Sequence, residues 1–325
     1  MSNVLITGGC GFIGRNLIRM LLVRGDRVRV LDNLSVGTKD ELALVADIVD
    51  CGSWQAGKNV SLCVGDIRER DACLQAVEGA DSIVHLAAQS GVLPSIENPI
   101  FDCETNVLGI VNMLDACKEK GAGRFVFASS SAPLGETLPP IHEEMVAKPL
   151  SPYGASKLAG EGYCSAYSSS FDIKTSVLRF SNVYGPDSGH KGSVVALFFK
   201  RALGGDPLIV YGSGEQTRDF IYIDDLCSAI IGALDSGVAG EVFQIATFKE
   251  NTVSRIAELV KRLVERDTDI TVEVVHESER KGEVVRSFSD ISKARRMIGF
   301  NPSIDLEYGM EKTWDWFKNN YGATD

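Results

Sequence analysis

The chain has 325 residues, 44% hydrophobic and 24% charged, the make-up of an ordinary globular protein with a large core and room for two lobes. Its 33 Lys and Arg against 44 Asp and Glu give a net charge of −11 and a pI near 5.0. That balance excludes general affinity for nucleic acid or an anionic membrane, so any anionic ligand must meet a local cluster of donors.

No apolar run reaches the ~18 residues of a membrane span, and "MSNVLITGG" enters an apolar segment without a charged leader. The expectation is a cytoplasmic protein. Eight scattered cysteines, Cys10, Cys51, Cys63, Cys73, Cys103, Cys117, Cys164 and Cys227, form no CxxC pair. They read as reduced, buried small hydrophobes, with no metal site among them.

In chain order, short apolar runs alternate with helical patterns. Strands are predicted at 3–7 (NVLIT), 27–31, 60–64, 82–87, 124–129 and 174–180, with helices at 12–24, 69–77, 102–120 and 154–169. Such alternation predicts an α/β fold, a doubly wound parallel sheet of Rossmann type. In the helix over 102–120, Val107, Ile110, Val111 and Leu114 fall on one stripe. After residue 181 Gly- and Pro-containing loops break the rhythm, as expected of a smaller α/β substrate lobe, with a strand at 239–247 and an amphipathic helix at 253–266. The division expected is 1–180 for a dinucleotide domain, with a return segment around 215–247, and 181–325 for the substrate lobe.

The first strand runs into GGCGFIG, in which Gly8, Gly11 and Gly14 suit a tight strand-to-helix turn whose N–H groups face a pyrophosphate. Phe12 and Ile13 lie inside that turn. Asp32, followed by Asn33, closes the next strand; a carboxylate there accepts from a ribose diol and repels a 2′-phosphate, which favours NAD over NADP. Asp66 and Ile67 are candidates for the adenine edge, and Leu86, Ala87 and Ala88 for the strand end under the dinucleotide.

A serine cluster at 129–131 ends the fifth predicted strand, and SPYGASKLAGE (151–161) opens the next helix. Tyr153 and Lys157 are i and i+4 there and share a face. Turning a phenol of pKa about 10 into a base near pH 7 needs about 4 kcal/mol of differential stabilisation. A neighbouring ammonium and an oxidised nicotinamide carry charge of the right sign, and a strand-end hydroxyl can relay the proton.

Taken together, TGGCGFIG, DNLS, HLAAQ, SSS, YGASK, RFSNVYGP, QTRDFIYIDDL and RKGEVVRSFSDISKA resemble the extended short-chain dehydrogenase/reductases. Among these the chain is similar to the nucleotide-sugar epimerase/dehydratase group, in particular the UDP-glucose 4-epimerase type. The resemblance implies an NAD domain, a nucleotide-sugar lobe and a homodimer through paired helices near 102–120 and 154–169. It implies Ser130 as the catalytic hydroxyl, Tyr153 as the base and Lys157 on the nicotinamide ribose, with Asn106 near that network. It further implies a sugar-nucleotide site at Ser130, Asn182, Val194, Tyr211, Arg218, Arg280 and Glu283, with Asn182, Arg218 and Arg280 on the pyrophosphate and neighbouring groups and Glu283 on the nucleotide ribose.

Dehydratases of the family carry an Asp-Glu pair after the catalytic hydroxyl residue, and decarboxylases a Glu two positions on. Here Ser131 and Ala132 stand there. The implied reaction is therefore 4-epimerisation of a UDP-hexose or UDP-N-acetylhexosamine, by transient C4 oxidation and return of hydride to the other face. The alternatives are another NAD-dependent sugar-nucleotide enzyme (decarboxylase, dehydratase or 4-ketoreductase), a dTDP-linked substrate, or a non-catalytic NAD sensor. Pro133-Leu134 replaces the family's usual Val-Tyr, and Ser287 falls at a position that gates pocket size.

Overall fold

Val4, Leu5, Ile6 and Thr7 are fully buried, so the first strand must be covered on both faces, as parallel sheets require. A computed structural model of the chain describes residues 1–55, 57, 59–279 and 284–321. Its strands are β1 (Asn3–Thr7), β2 (Arg27–Asp32), β3 (Asp47–Asp50), β4 (Asn59–Val64), β5 (Ser82–His85), β6 (Arg124–Ser130) and β7 (Lys174–Phe180). There follow β8 (Asn182–Tyr184), β9 (Leu208–Tyr211), β10 (Thr217–Arg218), β11 (Phe220–Tyr222), β12 (Glu241–Ile245), β13 (Asn251–Thr252) and β14 (Val274–Glu277). The helices are α1 (Phe12–Arg24), α2 (Lys39–Ala43), α3 (Arg70–Val77), α4 (Val92–Glu97), α5 (Pro99–Cys103) and α6 (Gly109–Lys120). The second half adds α7 (Pro152–Phe171), α8 (Val194–Leu203), α9 (Ile223–Asp235), α10 (Val253–Asp267), α11 (Ser292–Ile298) and α12 (Leu306–Tyr321).

Eight parallel strands form one sheet in the order β12-β7-β6-β5-β1-β2-β4-β3. From β1 the chain first builds towards β2 and β4, then returns to lay β5 on the other side. That reversal leaves a crevice beyond the carboxyl ends of β1 and β5, where open α/β sheets take ligands.

Strand alternation sorts the core into two layers. Leu5, Leu31, Ile83, Phe125 and Phe127 face α3, α6 and α7, while Val4, Ile6, Val28, Val30 and Val126 face α1, α9 and the second lobe. The second lobe holds the pairs β8·β11, β9·β14 and β10·β13 and a helical core in which Phe199 stacks on Trp314 and Phe317. There α10 turns Ile256, Leu259, Val260, Leu263 and Val264 inwards. No helix among the described residues is long and apolar enough to cross a membrane.

Three expectations need correction. The predicted helix over 102–120 is interrupted: α5 ends at Cys103, residues Glu104–Leu108 form a π-helical turn, and α6 starts at Gly109. The extra residue per turn rotates Asn106 into the core and leaves Val107 and Val111 only half-buried. Second, the cysteines are not all reduced: Cys51 and Cys63 form a disulfide, with Cα atoms 4.5 Å apart. The parallel register of β3 on β4, with Asp50 opposite Leu62, puts the next pair of positions side by side. Third, Cys103 is exposed rather than buried.

Candidate active site

The phosphate turn follows from packing as much as from chain direction. Gly8 sits at φ +70°, and a Cβ there would lie 2.8 Å from the backbone nitrogen of Ala87. At Gly14 a Cβ would lie 2.5 Å from the Cα of Gly9. The turn is closed by Gly8 N–H on the Leu31 carbonyl (2.9 Å) and Gly11 N–H on the Gly8 carbonyl (3.2 Å). Gly11, the residue before helix α1, has no side chain to cap it, so the first-turn N–H groups of Phe12, Ile13 and Gly14 are orphan donors. This cradle fits a diphosphate.

At the end of β2, Asp32 is buried. Its carboxylate accepts from the Cys10 N–H (2.9 Å) and the Leu34 N–H (2.8 Å). Burial pushes its pKa up, and those two bonds oppose the rise. Asn33 is exposed and donates to Asp66 (3.0 Å). The Arg68 side chain, at 2.8 Å and 3.0 Å, holds the Asp66 carboxyl down at about 2. Ile67 turns into the core, in contact with Gly109, and its carbonyl accepts from Asn112, which leaves only its N–H for a ligand.

Beyond β5, the Leu86 N–H bonds the Thr7 carbonyl (3.1 Å) and the Ala87 N–H bonds the Thr7 hydroxyl (3.1 Å). Ala88 is half-buried beside them. Thr7 in turn meets His85 Nδ1 at 2.8 Å, and His85, stacked near Phe125 and Phe127, is driven down to about 3 by burial and by the Lys157 charge. Asn106 fastens this segment from below. Its Oδ1 accepts from the Gln89 N–H (2.8 Å), and its Nδ2 faces the Gln89 carbonyl (2.9 Å), Asp102 (2.9 Å) and Ser156 (3.3 Å).

Helix α7 starts at Ser151, whose hydroxyl accepts from the Gly154 N–H, with Pro152 in its first turn. Tyr153 and Lys157 sit one turn apart. Lys157 is buried, donates to the Ala128 carbonyl (2.8 Å) and lies 4.9 Å from the Phe127 ring centroid and 5.8 Å from that of Tyr153. Burial lowers it to about 8, against the negative charges of Asp102 and Glu161. Burial raises the Tyr153 phenol, and a hydrogen bond with Ser130 opposes the rise. Ser130 also accepts the Ala132 N–H (3.1 Å) at the end of β6. Ser130, Tyr153, Lys157 and Asn106 are thus brought together beside the end of β5.

Apart from Ser130, the described residues expected at the sugar nucleotide lie in the second lobe. Asn182 is exposed at the start of β8, Val194 opens α8 and Tyr211 ends β9. Arg218, in β10, directs its Nη1 at the carbonyls of Thr217 and Val284, both at 2.7 Å. Arg280 and Glu283 lie outside the described residues, and Ser287 is half-buried in the segment that follows them.

Sequence reasoning missed a buried set behind the site. Glu161, one turn beyond Lys157, accepts from Ser129 (2.6 Å) and pairs with Arg179 through two contacts (2.8 Å and 2.6 Å). The run Tyr153, Lys157, Glu161 at i, i+4, i+8 was the signal available. Asp102, also missed, is buried near Lys157; burial raises its carboxyl while Ser156, Lys157 and Asn106 pull it down. A cavity of about 330 Å³ lined by Arg29, Cys51, Leu74 and Lys120 touches none of the site residues.

Known proteins resemble this chain along nearly its whole length. The model of the NAD dependent epimerase/dehydratase family matches residues 4–246. A putative UDP-glucose 4-epimerase of Methanocaldococcus jannaschii is 35% identical over 322 residues, covering 98% of this chain and 99% of that protein. UDP-glucuronic acid decarboxylase 1 of Xenopus tropicalis is 32% identical over 326 residues, covering 98% of this chain and 72% of the relative. Among solved structures, a UDP-glucose 4-epimerase of Thermotoga maritima with UDP-glucose superposes with a TM-score of 0.87 at 32% identity, over 98% of this chain and 99% of that one.

Proposed function

The chain belongs to the NAD dependent epimerase/dehydratase family, and from that premise we propose that it is a nucleotide-sugar 4-epimerase acting on a UDP-hexose or UDP-N-acetylhexosamine. The observation that carries this reading is the end of β6. Ser130 faces Tyr153 there, and the turn that follows, Ala132–Leu134, presents no carboxylate to expel water or assist decarboxylation. What is left at the site moves one proton and positions one alcohol.

Bound NAD supplies a reversible acceptor for the C4 hydride, so that oxidation followed by return to the other face leaves no net redox change. Tyr153 takes the C4 hydroxyl proton, directly or through Ser130. In the resting protein its phenol is protonated, and lowering it falls to Lys157 and to charge brought by the cofactor. Lys157, held by the Ala128 carbonyl, is assigned to the nicotinamide ribose. Gly8, Gly11, Phe12, Ile13, Gly14 and Asp32 are assigned to the dinucleotide, and Asn182, Val194, Tyr211 and Arg218 to the sugar nucleotide. We assign 1–180 together with β12 to the cofactor domain and the remainder to the substrate lobe.

Exposed Ile96, Ile100 and Leu108 (56%, 72% and 48%) lie on α4, α5 and the π turn, and Tyr163 and Phe171 on neighbouring α7. We infer a homodimer through this face, which light scattering on an Ile100→Asp, Leu108→Asp variant tests; an unchanged mass overturns it.

The reaction is tested by proton NMR of the protein with NAD and, separately, UDP-glucose, UDP-N-acetylglucosamine, UDP-glucuronate and dTDP-glucose. Interconversion of C4 epimers is expected. Release of carbon dioxide with a pentose product, or a 4-keto-6-deoxy sugar, overturns the reading. Tyr153→Phe is expected to lower turnover by about 100-fold or more while leaving NAD affinity unchanged.

A further inference from the structure

The loop between β8 and α8 crosses over the start of α1. Asn16 donates to the Pro186 carbonyl (3.1 Å) and Arg15 to the Asp187 carbonyl (3.1 Å), while the Asp187 carboxylate pairs with Arg19. His190 meets Glu41 at 3.0 Å, and Glu41 also pairs with Arg15 at 2.9 Å. The acids near this loop are therefore already matched to arginines or to a histidine.

Lys191 follows directly. Its N–H closes a turn on the Ser188 carbonyl (2.9 Å), and its carbonyl accepts from Lys200 on α8 (3.1 Å). Its ammonium lies 5.2 Å from the ring centroid of Phe12, the first residue of α1. Among the described residues its ammonium has no hydrogen-bond acceptor and no carboxylate partner, and burial is what acts on it. A half-buried ammonium beside the positive end of a helix, with no anion to match it, is an arrangement that costs free energy by itself. An anion held between the ammonium and the N–H groups of the glycine turn turns both terms favourable.

We propose that Lys191, contributed by the second lobe, is a diphosphate-binding residue that closes over the cofactor held at the Gly8–Gly14 turn. The two lobes are thereby joined through the dinucleotide, and its release requires this loop to lift from α1. The inference rests on dinucleotide binding and is independent of which sugar is turned over. Burial lowers the ammonium to about 8, so binding at pH 8.5 is expected to draw a proton onto it.

Calorimetric titration of the purified protein, freed of cofactor, with NAD and separately with UDP provides the test. Lys191→Met is expected to weaken NAD about 10- to 100-fold, the loss of one charge-assisted contact, with the melting temperature of the free protein raised or unchanged, never lowered. Lys191→Arg restores most of the affinity. Wild type takes up a proton on binding NAD at pH 8.5, read from two buffers of different ionisation enthalpy, and Lys191→Met does not. An NAD affinity within twofold of wild type overturns the proposal. So does a loss confined to UDP, which would move the contact to the substrate's diphosphate. Failure to epimerise any sugar would refute the proposed reaction and leave this measurement standing.

Discussion

The ion pair beneath the site offers a quantitative test of how it is held. Glu161 and Arg179 have side chains only 6% and 5% exposed, and Glu161 accepts three short hydrogen bonds, from Ser129, Arg179 Nε and Arg179 Nη2. Arg179 Nη1 is buried without a partner among the described residues, so the guanidinium already depends on Glu161 for its compensation. Glu161→Gln keeps the volume, removes the charge and points amide hydrogens at a donor. Breaking a buried pair from one side costs about 3–5 kcal/mol, a large share of the ~5–15 kcal/mol that holds a domain together. Replacing both partners by apolar residues of similar size removes the uncompensated charge, so Glu161→Leu with Arg179→Met is expected to lose less than Glu161→Gln alone. Arg179→Met leaves a buried carboxylate that can take a proton in the folded state. Its folded pKa is then raised, and the variant is penalised more at pH 8 than at pH 5. Urea unfolding followed by tryptophan fluorescence and circular dichroism reads all three. A loss below about 1 kcal/mol in Glu161→Gln, or a double variant that loses as much as Glu161→Gln alone, would refute this account of the pair.

Gly14→Ala forces a Cβ into the Gly9 backbone and is expected to weaken NAD at least about tenfold by titration, whereas Gly123→Ala, with open space around it, leaves affinity unchanged. Thiol titration of the denatured chain without reductant should find six groups, and eight after reduction; eight without reductant would exclude the Cys51–Cys63 bond. His85 stays neutral down to about 3 in the folded chain while the unfolded chain protonates near 6.5. Its contribution is therefore intact above 6.5 and lost as pH falls towards 3, by up to about 5 kcal/mol, and His85→Gln should flatten that part of the stability profile.

The parts of the site that were legible in the sequence are those in which a short stretch of backbone has to do something unusual. GGCGFIG is readable because only glycine can approach Ala87 and Gly9 so closely, and Tyr153 with Lys157 because one helical turn relates them. The helix α10 was readable for the same local reason, an apolar stripe repeated over fifteen residues. The strand β3 was not: it has four residues, two of them acidic, and only its neighbour β4 makes it a strand. The short strands of the second lobe are likewise defined by partners far along the chain, as Asn182–Tyr184 is by Phe220–Tyr222.

Periodicity misled over 102–120, where the site makes a polar demand on the helix. A continuous helix over 102–120 would bury Val107 and Val111, and the structure instead inserts a π turn that buries Asn106 against Asp102 and Ser156. Two polar residues four apart on a core-facing stripe were the warning, because a buried amide and carboxylate survive only with partners waiting for them. Those partners come from 50 residues away in Ser156, just as Arg179 meets Glu161 from the next strand and the loop carrying Lys191 meets α1 from the far lobe. The side chains that form the turn, the phenol and the lysine can be read locally; the ones that fix their charge and depth are tertiary. A substitution in that second set should therefore shift affinity, pH dependence or stability before it changes the reaction.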